Sequence, residues 1–69
     1  MSRDKARDDK YFNCQEEYEL EYVSNLYGNN RERVYHFLKN KCNLGEIKYN
    51  THKEVYKMIE KELGYKIVN

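Results

Sequence analysis

Two cysteines and two histidines are the side chains of this 69-residue sequence best suited to chemistry. Cys14, His36, Cys42 and His52 include the donor types of a structural zinc site. They share none of the short paired spacings such sites use, so no metal is expected. Cys14 falls in the first turn of an expected helix, where backbone amides favour a thiolate. Glu16 and Glu17 oppose that effect, and no histidine lies near in sequence to act as a base, so a nucleophilic cysteine is not expected. Cys42 occupies a position on an apolar stripe and reads as core. His36 falls on the outer face of the second helix and His52 in the first turn of the third. Glu16, Glu17, Glu19 and Glu21 form a charge run on one helix rather than an acid–base pair. The sequence has no glycine-rich phosphate loop, no H-E-x-x-H and no G-x-S-x-G. No enzymatic activity and no cofactor are expected.

Binding residues are easier to nominate. Eight tyrosines and no tryptophan exceed what a core this small can enclose, and tyrosine is enriched where proteins meet. Tyr18, Tyr35, Tyr49, Tyr56 and Tyr65 are the candidates for contact with a protein partner, a second copy of the chain included. The alternative is nucleic acid. Lys53, Lys57 and Lys61 recur at four-residue steps along one helix face and could follow phosphates, with Arg31 and Arg33 extending the surface. Glu54 and Glu60 share that face, and no arginine fork there reads a base edge.

These residues must be positioned by three helices. Thr51 with Glu54 forms a capping box, Val55, Met58, Ile59 and Leu63 form one stripe, and Gly64 supplies a left-handed stop. This predicts a helix over 52–63. Val34, Tyr35, Phe37, Leu38 and Cys42 repeat that spacing, with Lys41 at the place of Glu62, and predict a helix over 30–43 capped by Asn29 or Asn30 and ended at Leu44-Gly45. The two stripes are expected to bury each other. The first helix is expected over 14–27, capped by Asn13 with Glu16. Its segment EYELEY alternates as a strand would, but Tyr22, Val23, Leu26 and Tyr27 continue at helical spacing. Glu19 then falls within the apolar stripe. Either it has a buried partner, a tyrosine hydroxyl or a Lys or Arg from the second half, or the stripe is shifted and Glu19 lies at its wet edge.

The fold class is therefore all-α: a small three-helix bundle over residues 11–69. Short extended arms follow Gly45 and Gly64, irregular rather than paired as a ribbon. Residues 1–10 alternate charge without apolar periodicity and read as a flexible lead-in.

A chain of this length buries only about 60% of its unfolded surface, and 36% of its residues are charged. Residues 1–30 carry four basic and seven acidic side chains and residues 31–69 nine and five, an asymmetry that can be internal or face a partner. The net charge of +1 argues against a dedicated nucleic-acid binder. No apolar run reaches the roughly 18 residues of a membrane span, and MSRDKARDDK lacks the apolar core of a secretory signal. Two cysteines in such a chain read as free thiols in a reducing compartment, so the expected location is cytoplasmic.

Overall fold

The computed structural model of the chain describes residues 9–68. Among the described residues there are three α-helices, α1 (Glu17–Asn25), α2 (Arg31–Asn43) and α3 (His52–Leu63), with a 3-10 turn at Gly28–Asn30 and no strand. The expected all-α, three-helix architecture is the one observed. Residues 1–8 of the charged lead-in lie outside the described residues.

Helix α3 follows its local signals closely. The Thr51 hydroxyl accepts from the Glu54 amide at 3.3 Å, and the Glu54 carboxylate accepts from the Thr51 amide at 3.1 Å. Two amides that the helix itself cannot satisfy are met this way. At the other end Gly64 adopts φ 76° and its N–H reaches the Glu60 carbonyl. Helix α2 ends in a Schellman pair: Glu46 N–H donates to the Lys41 carbonyl and Gly45 N–H to that of Cys42, with Gly45 left-handed at φ 76°.

Two caps differ from expectation. Asn30 makes no side-chain cap bond, because the 3-10 turn runs directly into α2. Its carbonyls, Tyr27 to Asn30 N–H and Gly28 to Arg31 N–H, already serve the first amides. Asn13 does not cap α1 either. Its side chain accepts from Gln15 N–H at 2.9 Å and its carbonyl from Glu16 N–H, a local turn that competes with helix. Hence α1 starts at Glu17, three residues later than expected, and Cys14 lies in the preceding turn rather than in the helix. At its C-terminal end α1 tightens: Leu26 and Tyr27 donate to carbonyls three residues back, and the helix stops at Asn25.

The core joins Phe12, Leu20, Val23, Leu26, Tyr27, Val34, Leu38, Ile47, Val55 and Ile59, all buried. The closest backbone pairing is α1 with α2, not α2 with α3, because the short Leu26–Asn30 connection forces those two helices side by side and antiparallel. The stripes of α2 and α3 nevertheless both face inward, through Val34 and Leu38 and through Val55 and Ile59. Lys41, the counterpart of Glu62 in the repeated stripe, contacts it at 3.2 Å and ties the C-terminal ends of α2 and α3 together. The arms after Gly45 and Gly64 do not pair with each other. Residues before α1 instead meet the start of α3 in one antiparallel bridge, Tyr11 with Thr51, and Val68 N–H binds the Leu26 carbonyl.

Candidate functional site

The chemically distinctive feature inside the molecule is a buried carboxylate–imidazole pair. Glu19 is on the buried face of α1, as its position in the stripe requires, and its partner is His52 at the start of α3. His52 Nε2 lies 2.6 Å from Glu19 Oε1, and His52 is only 1% exposed. The second half of the chain does supply the partner, but it is a histidine, not the lysine, arginine or tyrosine expected.

The hydrogen-bond partner of Nδ1 fixes where one ring hydrogen sits. Lys10 presents one carbonyl oxygen to two nitrogens of His52: the backbone N–H at 2.8 Å and ring Nδ1 at 2.9 Å. A carbonyl only accepts, so Nδ1 carries hydrogen. Nε2 then either donates to an ionised carboxylate or accepts from a carboxyl O–H. The two side chains together carry zero net charge in both cases, so no uncompensated charge is buried. Phe12 meets the imidazole edge-on with centroids 5.5 Å apart, and Tyr56 lies edge-on at 6.4 Å. No substrate reaches this imidazole while Lys10 and Phe12 cover it.

A second feature corrects the free-thiol expectation. Cys14 and Cys42 are joined as a disulfide, with Cα atoms 5.7 Å apart across a sequence separation of 28. Antiparallel α1 and α2 place the turn before α1 beside the last turn of α2. The pairing was thus implicit in the expected hairpin, and the signal missed was that both cysteines fall at the same end of it. Closing a loop of this length is worth about 3–4 kcal/mol in the chain-entropy picture. Burying Phe12, the one buried side chain among residues 9–16, contributes a comparable 2–3 kcal/mol or so. The segment before α1 is therefore held by a covalent link and an apolar anchor, together with its hydrogen bonds to Asn50 and His52.

The disulfide borders an open groove of about 730 Å³ lined in part by Tyr11, Gln15, Gly45, Lys48 and Tyr49. Tyr49 is 83% exposed and Tyr11 67%. Of the other nominated tyrosines, Tyr18 is exposed, whereas Tyr35, Tyr56 and Tyr65 are half-buried against the core. Tyr11 lies outside the nominated set, and it stands in water while its neighbour Phe12 enters the core.

Surface electrostatics separate the cationic candidates. The Tyr35 hydroxyl donates to the Glu17 carboxylate, and this bond, ahead of burial, raises the phenol's pKa. Lys39 approaches the same carboxylate at 3.8 Å. Lys41 binds Glu46 at 2.7 Å as well as Glu62, which raises its pKa. On α3, Glu54 is committed to the cap, Glu60 to Lys66 at 3.8 Å and Glu62 to Lys41. Lys53, Lys57 and Lys61 are exposed and make no ion pair among the described residues. Arg31 does not join them: it lines a groove between α1 and α2 with Glu17, Glu21 and Glu32. Arg33 is exposed on α2.

Among the described residues no cluster of side chains could hold a metal ion, and no helix is long and apolar enough to cross a membrane. Compared with protein-family models, curated proteins and solved structures, the chain matches no family, no curated protein and no solved structure.

Proposed function

We propose that this chain is a small protein-interaction or regulatory module without catalytic activity, which meets a protein partner or a second copy of itself through its tyrosine-bearing end. The observation that supports this reading is the groove beside Cys14–Cys42, where Tyr11 and Tyr49 stand largely in water. Leu44, in the same stretch, is 62% exposed. Large amphipathic rings of this kind bury area on association at low entropic cost. The closed state of His52 and Glu19 speaks for binding rather than turnover. Sedimentation equilibrium from micromolar to millimolar concentration tests the self-association arm: the average mass of the wild type should rise above the 8.5 kDa monomer, while Y11S/Y49S should remain at the monomer mass. A monomer throughout, combined with no tyrosine-dependent crosslink to any host protein, overturns the reading.

A second reading, nucleic-acid binding, draws support from the lysine row of α3, whose neighbouring acids are already engaged within the chain. It expects retardation of an oligonucleotide that weakens steeply with salt and on K53Q/K57Q/K61Q. No retardation at low salt removes it.

Cytoplasmic residence belongs to the proposal as well. Permanent disulfides are rare in reducing compartments, so it requires that the Cys14–Cys42 bond be made and broken there.

A further inference from the structure

We propose that Cys14–Cys42 is a thiol–disulfide exchange site whose reduction uncovers the His52–Glu19 pair. This inference goes beyond the interaction reading and does not depend on it. Both cysteines are half-buried and line the open groove beside Tyr11 and Tyr49, so a small dithiol can reach a sulfur. The segment that Cys14 tethers is the one that seals His52. The Lys10 carbonyl accepts from the histidine's backbone N–H and from ring Nδ1, and Phe12 lies against its ring.

The exchange balances simply. A thiolate of the dithiol attacks one sulfur of the bond and forms a mixed disulfide, and the other cysteine leaves as a thiolate that takes up a proton. The second thiol of the reductant then displaces the remaining cysteine, and the reductant departs as a disulfide. The protein gains two electrons and two protons.

Without the bond, residues 9–16 keep, among the described residues, the Phe12 ring, the packing of the Cys14 side chain against the core and the hydrogen bonds to Asn50 and His52. The acceptor nearest the freed Cys14 sulfur is the Ile47 carbonyl at 3.4 Å, and a thiol is a weak donor. The segment therefore opens locally while α1, α2 and α3 stay packed, as low-stability segments do.

The sequence contains two histidines, which makes the test internally controlled. His36 is exposed on α2 and His52 is not. Diethyl pyrocarbonate should modify His36 readily in the oxidised protein and His52 slowly. In C14S/C42S the rate at His52 should rise by roughly tenfold or more, with His36 and the helical circular dichroism unchanged. In the reduced wild type, hydrogen exchange at the Phe12 and His52 amides should accelerate by a similar factor and return to its original rate on reoxidation. The proposal is overturned if His52 stays slow in the variant and both amides stay protected in the reduced wild type. It is equally overturned if the reduced wild type loses its helical signal, since the bond would then staple the whole fold rather than gate one segment.

Discussion

Glu17 and Glu19 are two residues apart on α1, yet they meet opposite environments. Glu17 is on the outside, shared between the Tyr35 hydroxyl and Lys39 on α2. Glu19 is inside and bound to the His52 imidazole. On the surface, water competes for every charge, and a pair of this kind contributes little to stability. In the interior water does not compete, so removing one member of a buried charged pair costs far more than it does at the surface. The difference shows that contact distance does not measure what a polar link contributes; the alternative available to each group does.

The largest expected effect breaks the inner link. His52→Ala should lower the unfolding free energy by about 3–5 kcal/mol, read from urea titration. Replacing both partners by apolar residues, E19L/H52F, should recover a good part of that loss. A double variant as unstable as H52A would show that the pair contributes more than mutual neutralisation.

The same contrast extends to two tyrosines. Burial, with the Glu60 charge second, pushes the Tyr27 hydroxyl up to about 12, whereas Tyr35 is raised chiefly by its bond to Glu17. A phenol held above its unfolded value contributes stability that is complete below pH 10 and lost as pH rises through the folded value. The unfolding free energy should therefore fall by at most about 2 kcal/mol between pH 10 and 12, and Tyr27→Phe should flatten that fall.

A smaller effect tests the cap that orients His52. Thr51→Ala removes the hydroxyl that accepts from Glu54 and should cost about 1 kcal/mol. The smallest is expected for Glu17→Gln: no measurable change in the urea midpoint, but a Tyr35 titration moved down toward the ordinary phenol range, followed by absorbance. A clear loss of stability there would erase the distinction between the inner and outer carboxylates.

Much of this could be read from the chain alone. The Thr51–Glu54 box, the stop at Gly64 and the helical outcome for EYELEY all follow from interactions within a few residues. These are the forces that spacing encodes. What the sequence left open involves residues far apart: His52 meeting Glu19, the Lys10 carbonyl on that histidine, Cys14 reaching Cys42, and Phe12 rather than Tyr11 entering the core.

Local rules also failed where a competing turn took the place of a cap. Asn13 folded back on itself, and the 3-10 turn made an Asn30 cap unnecessary. Residue type and periodicity determined that there would be three helices and which faces turned inward. The packing of α1 against α2 and the crossing of residues 10–12 over the start of α3 decided which polar groups met inside. A buried polar group takes whichever complementary group the chain path delivers, and that path is set by the assembled fold rather than by neighbours in sequence.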